Sequence, residues 1–198
     1  MRPDFREAVL QGRPQAGVWS NLGAVNASVI AAGLGYDWML LDTEHGLGDE
    51  ATLQAQLDNA AASATAAIVR IPELTDGFCK KALDLGAAGV MVPQVKTRDE
   101  AVRAARSMRY PPDGRRGVSR VNRATVFGLQ TEAYLREANR AVLCVVQIET
   151  AEAVEAADAI AAVEGVDVLF VGPADLGYAL GVPGETDHPR FREALVRV

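Results

Sequence analysis

The sequence predicts a parallel α/β architecture, a (β/α)₈ barrel, on three observations. Short runs rich in Val, Ile and Leu alternate with longer Ala-rich stretches of helical pattern, the order that gives parallel strands joined by crossover helices. The strand runs are apolar on both faces, as when one face fills a barrel and helices cover the other. Polar groups gather where the runs end, as in Leu40-Leu41-Asp42-Thr43-Glu44-His45-Gly46, and functional groups in a barrel sit at the C-terminal strand ends. A doubly wound sheet is the competing fold. Its Gly-x-Gly-x-x-Gly fingerprint is missing after the first strand, where Gly17-Val18-Trp19-Ser20-Asn21 runs into an Ala-rich helix.

The elements follow in order. Residues 1–14, MRPDFREAVLQGRP, carry acids and no continuous apolar segment, so they read as an opening helix rather than a signal peptide. Strands are expected at 16–20, 36–42, 66–71, 87–92, 142–148 and 166–172, with a short fifth strand at 117–120. Helices are expected at 24–34, 50–63, 76–86, 97–108 and 150–162, opened by small or capping residues and carrying charged outer positions. This makes seven strands, with residue 198 inside the helix after the seventh. A barrel usually takes about 250 residues, so residues 1–198 read as one barrel domain that is incomplete at its C-terminus, lacking the eighth strand and helix. A shortened chain, a segment supplied by another copy, or an open sheet would each account for this, and an open edge favours association.

Composition narrows the function. Of 198 residues 49% are hydrophobic, the net charge is −6, and no apolar run approaches a bilayer's thickness. An acidic chain with pI near 5.0 is a poor match for nucleic acid, which calls for clustered positive charge. Cys79 and Cys144 are the only cysteines and lie far apart, which excludes a disulfide scaffold or a thiolate zinc site and fits a reducing cytoplasm.

Glu149 follows the sixth strand and Asp175 lies just past the seventh. Two carboxylates from neighbouring strands suit a hard divalent cation, Mg²⁺, Mn²⁺ or Co²⁺, although either acid alone reads as a helix-start residue. Gln147 and Glu149 are two apart, so their side chains share a face. Gly172-Pro173-Ala174-Asp175 joins a close backbone approach to a helix start, whose N–H groups suit a substrate carboxylate. His45 has Asp42 near enough in sequence to orient its ring as a general-base pair. His188, in Thr186-Asp187-His188-Pro189, reads as a cap or a surface residue. Arg70 ends the third strand, where a guanidinium could hold an oxyanion or pair with Asp42 or Glu44. Arg115, Arg116, Arg120 and Arg123 form a basic segment, read as a solvated loop before an anion site. Lys80, Lys81 and Lys96 are the only lysines and lie off the strands, which favours an enolate route over a Schiff base.

These motifs together resemble the HpcH/HpaI aldolase family of metal-dependent class II pyruvate aldolases. The resemblance spans the chain through Gly17-Val18-Trp19-Ser20, Asp42-Thr43-Glu44-His45-Gly46, Val69-Arg70, Val92-Pro93-Gln94-Val95, Arg109-Tyr110-Pro111-Pro112, Arg116-Gly117-Val118, Gln147-Ile148-Glu149-Thr150 and Gly172-Pro173-Ala174-Asp175-Leu176. It implies cleavage of 4-hydroxy-2-oxo acids to pyruvate and an aldehyde. Glu149 and Asp175 would be the metal ligands, His45 with Asp42 the acid/base element, and Arg70 the enolate-oxygen stabiliser. Trp19, Gln147, Gly172, Pro173 and Ala174 would bind substrate. The family exchanges its last helix between subunits, usually in a hexamer, so a homo-oligomer is implied. An acyl-CoA lyase of the citramalyl or malyl type and a non-catalytic barrel remnant are the alternatives.

Overall fold

The computed structural model describes residues 3–198; the first two residues of the expected opening helix lie outside the described residues. The chain runs α1 (Pro3–Leu10), β1 (Gly17–Ser20), α2 (Val25–Gly33), β2 (Trp38–Asp42), α3 (Glu50–Ala61), β3 (Ala66–Arg70), α4 (Asp76–Asp84), β4 (Gly89–Val92) and α5 (Arg98–Met108). It continues through α6 (Thr131–Ala141), β5 (Leu143–Ile148), α7 (Ala151–Glu155), α8 (Ala157–Ala161), β6 (Val168–Val171), α9 (Pro173–Ala179) and α10 (Pro189–Arg197). All six strands are parallel and stand in sequence order.

Alternation along each strand divides the apolar residues into two layers. Leu40, Ala66, Ile68, Met91, Leu143 and Val145 meet inside the curl of the sheet. Their neighbours Met39, Leu41, Ala67, Val69, Val90, Cys144 and Val146 face the helices. Curling brings the two edges together: the Trp19 and Trp38 rings lie 5.8 and 6.4 Å from that of Phe170 on β6. The architecture is therefore a curled half-barrel of six strands, in which β1 and β6 are edges and do not pair with each other.

The N-terminal end of the sheet is closed by α1. Its Phe5 joins the inner cluster, and Arg6 grips Asp167, just ahead of β6, through two bonds of 3.0 and 2.6 Å. Asp167 also accepts the Cys144 N–H at 2.8 Å, tying the starts of β5 and β6 to one carboxylate. At the other end, Asp49, Thr75, Thr97 and Thr150 cap α3, α4, α5 and α7. Each cap satisfies an amide that the helix leaves open and fixes where the strand-to-helix turn begins.

Two expectations need correction. Residues 117–120 form no strand, and β4 pairs directly with β5 from Gly89 opposite Leu143 to Val92 opposite Val146. The carbonyl of Arg120 accepts the hydroxyls of Thr125 and Thr131 at 3.1 and 2.7 Å, and Val118 and Val121 are exposed. That segment thus has neither a free ladder nor an apolar face to bury. The helix expected at 150–162 breaks at Ala156 into α7 and α8. One helix, α6, went unread although Tyr134, Ala138 and Ala141 recur on its buried face.

Candidate active site

Inward-facing residues at the strand ends converge on one mouth. Asp42 ends β2 opposite Arg70 at the end of β3, and the pair bonds bidentately, Nε to Oδ1 at 2.9 Å and Nη2 to Oδ2 at 2.6 Å. Both are 6% exposed. Arg70 Nη1 lies 2.8 Å from Glu44 Oε2, an ion pair, and the guanidinium stacks 4.7 Å over the Trp19 ring. Trp19 Nε1 in turn donates to Asp42 Oδ2 at 3.3 Å. The alternative reading of Arg70, a salt bridge to Asp42 or Glu44, is realised with both acids at once.

Burial and these contacts shift the two acids in opposite directions. Burial pushes the Asp42 carboxyl up, but the Arg70 bonds and the backbone N–H groups of His45 and Glu44 outweigh it and hold the group below its ordinary value. Glu44 is raised by burial, which the charges of Arg70 and His45 only partly offset.

His45 does not stand where an Asp42 general-base pair requires. The Asp42 carboxylate accepts the main-chain N–H groups of Glu44 and His45 at 3.0 and 3.3 Å and makes a tight turn of the segment. A side chain at Gly46 would bring its Cβ 2.0 Å from the Asp42 carbonyl oxygen, so this turn needs glycine. The imidazole itself is 67% exposed, with Nε2 3.8 Å from Glu44 Oε1. Glu44, read from sequence only as a salt-bridge partner, is thus the acid nearest the ring.

On the opposite side, Gln147 and Glu149 are each 2% exposed, and Gln147 Nε2 donates to Glu149 Oε2 at 3.2 Å. Glu149 Oε1 accepts the Gln94 N–H at 2.7 Å. Burial raises the Glu149 carboxyl; the Gln94 N–H opposes this, and the charges of Asp175 and Glu44 add to it. Gln147 Oε1 is buried without a partner. Gly172 lets the end of β6 press against this pair, since a Cβ there would fall 2.4 Å from Glu149 Oε2. Pro173, Ala174 and Asp175 form the exposed first turn of α9. Among the described residues no group of three or more His, Cys, Asp or Glu side chains is placed to hold a metal; Asp175 is near enough for its charge to act on Glu149.

The remaining candidates fall outside the mouth. Arg115, Arg116, Arg120 and Arg123 pair with Asp76, Asp84, Glu132 and Asp58, which leaves no free basic patch there. His188 caps α10 by accepting the Arg190 N–H at 3.2 Å. Lys80 and Lys81 lie on α4, and Lys96 lies in the turn before α5. Gln94, quoted within a motif but given no role, is the site residue sequence reasoning passed over. Its contact is made by the main chain, which side-chain chemistry does not announce.

Known proteins share both sequence and fold with this chain. A sequence profile of the HpcH/HpaI aldolase/citrate lyase family matches residues 15–198. A 5-keto-4-deoxy-D-glucarate aldolase of Citrobacter koseri is 41% identical over 194 residues, 98% of this chain and 75% of that protein. The solved structure of a family member from Burkholderia cenocepacia superposes with a TM-score of 0.94 at 39% identity, covering 99% of this chain and 79% of that one. An HpcH/HpaI aldolase from Desulfitobacterium hafniense gives 0.88 at 30% identity over 98% of this chain and 75% of its own. The protein is a carbon–carbon lyase. It belongs to the HpcH/HpaI aldolase/citrate lyase family.

Proposed function

We propose that this chain is a divalent-metal-dependent aldolase that cleaves 4-hydroxy-2-oxo acids to pyruvate and an aldehyde and catalyses the reverse addition. The observation that carries the reading is the buried Arg70 guanidinium, locked by Asp42, Glu44 and Trp19 in the same mouth as the raised carboxyl of Glu149. The names of the relatives agree. Numbered from its keto end, a 5-keto-4-deoxyglucarate is a 2-oxo acid with a hydroxyl at carbon 4.

The donor set fits a hard cation. Glu149 and Asp175 supply carboxylate oxygens, and the buried, unpartnered Gln147 Oε1 marks polar space beside them. Mg²⁺, Mn²⁺ and Co²⁺ all accept such ligands. When bound, the ion supplies Lewis acidity that lowers the cost of forming a pyruvate enolate. Arg70 offers its remaining N–H groups to the enolate oxygen from a fixed position, so little reorganisation opposes the charge as it develops. His45, exposed at the rim, takes the proton from the 4-hydroxyl directly or through water as the C3–C4 bond breaks. Gln147 and the turn from Gly172 through Ala174 hold pyruvate, with Trp19 on the facing wall. The off-strand lysines support this route over an imine. The paired state of the four arginines gives a CoA-thioester lyase no basic anchor. Within this reading the working unit is a homo-oligomer in the cytoplasm; no helix among the described residues is long and apolar enough to cross a membrane.

The test is deuterium incorporation into the pyruvate methyl group in D₂O, with Mg²⁺ or Mn²⁺ and again with chelator. Exchange that needs the metal is the expected result. A folded sample that exchanges equally under chelator, or not at all with metal, would remove the metal-enolate mechanism.

A further inference from the structure

We propose that the turn after β4 sets Glu149 as a cation ligand: the Gln94 main-chain N–H, held by a positive φ, fixes one carboxylate oxygen and makes Gln94 a positioning residue for metal binding. The proposal rests on the reading of Glu149 as a cation ligand.

Among the described residues three non-glycine residues adopt positive φ: Gln94 at 56°, and Val126 and Phe127, both at 51°. Such residues are uncommon, and a positive φ costs energy that the surroundings must supply. Val126 and Phe127 have a local explanation, because their N–H groups close turns on the carbonyls of Arg123 and Asn122. Gln94 does not. Its N–H crosses to a carboxylate 55 residues further along the chain, at 2.7 Å. Pro93 and Val95 are buried on either side and clamp the turn, whereas the Gln94 side chain is exposed. The conformation is therefore spent on directing an amide. With Pro93 and Val95 both buried, φ cannot relax to a negative value without displacing the peptide planes on either side, and moving the 93–94 plane would draw this N–H off Glu149 and leave a buried oxygen unpaired.

The second oxygen is held by Gln147 Nε2, so Glu149 has a defined orientation before any ion arrives. Asp175 is exposed in the first turn of α9. The pair thus combines one preset ligand with one free to adjust, and preset ligands bind more tightly because less order is lost on binding.

The test uses the full chain and measures Mn²⁺ binding from the electron paramagnetic resonance signal of the free ion, with circular dichroism as the folding control. Gln94→Gly and Gln94→Asn tolerate positive φ and are expected to bind Mn²⁺ within about twofold of wild type. Gln94→Ala carries the same Cβ as glutamine and is expected to stay in that range, whereas β-branched Gln94→Val is expected to bind about tenfold more weakly, the scale of the left-handed penalty. Affinity that follows ease of positive φ across the series supports the proposal. A folded Val variant binding like wild type overturns it, as does a Gly or Asn variant that binds as poorly as Val. Should the Val variant fail to fold, Gln94→Thr, also β-branched, takes its place: binding weaker than the Gly and Asn variants supports the proposal and binding equal to theirs overturns it. Wild type that binds no Mn²⁺ defeats the metal reading and the proposal together, an outcome distinct from a wild type that binds and a series that does not respond.

Discussion

Asp42 and Glu149 are both nearly inaccessible carboxyls, yet their surroundings drive them in opposite directions. Burial raises both, but Asp42 gains enough from Arg70 and two amides to end below its ordinary value, whereas Glu149 ends above. The signs of their stability contributions follow. A lowered native pKa gives stabilisation that is present above the unfolded value and is lost as pH falls through the native one. A raised pKa gives stabilisation present below the unfolded value and lost as pH rises through the native one. Asp42→Asn should therefore cost about 3 kcal/mol near neutral pH, because Arg70 loses its principal partner, and the gap to wild type should close in acid. Glu149→Gln should instead raise the melting temperature of chelated protein by about 2–4 °C near neutral pH while abolishing metal-dependent turnover. Thermal unfolding of both variants across the acid range checks the pair of signs. Arg70→Lys cannot reproduce a bidentate fork and should lower pyruvate proton exchange by about 10²-fold to 10³-fold with Mn²⁺ binding retained. Exchange rates and Mn²⁺ titration separate those two effects.

Among the elements, α1 and β6 depend on one carboxylate. Asp167 takes the Arg6 fork and the Cys144 amide, so Asp167→Ala leaves the Arg6 guanidinium with the Arg140 carbonyl alone and a strand amide without a partner. The expected loss is about 3 kcal/mol in urea unfolding. Because α1 closes the N-terminal end of the sheet, turnover per folded molecule should hold at low temperature. The strands themselves were readable in the sequence, since apolar runs such as Val145 to Ile148 admit few alternatives. What misled was the stretch around Gly117-Val118: its composition suits a strand, but the neighbouring carbonyl of Arg120 is claimed by threonine hydroxyls 5 and 11 residues away along the chain. Similarly, α6 hides because its buried stripe is built from tyrosine and alanine rather than from branched aliphatics.

Across the whole molecule, strand-end chemistry was legible because parallel strands point alternate residues inward, which places Asp42, Arg70, Gln147 and Glu149 in one mouth. The pairing of Arg70 with Asp42 and Glu44 was legible too; the partner of His45 was not, since Asp42 accepts only the main-chain N–H of His45 and the imidazole is left beside Glu44. Sequence spacing ranks acids by distance along the chain, whereas the turn ranks them by direction. The curl that gathers these groups depends on Phe170, which reaches both Trp19 and Trp38. Phe170 is half-buried, so Phe170→Ala should cost about 1–2 kcal/mol and should also weaken catalysis, because Trp19 props Arg70. Unfolding in urea with parallel exchange assays checks both losses. Trp19 and Trp38 are the chain's two tryptophans, and they lie at the seam where β1 and β2 meet β6. Emission excited at the red edge, where indole absorbs and the four tyrosines do not, therefore comes wholly from that seam: its maximum is an optical gauge of how far the sheet has opened, readable without a label and blind to the helices outside.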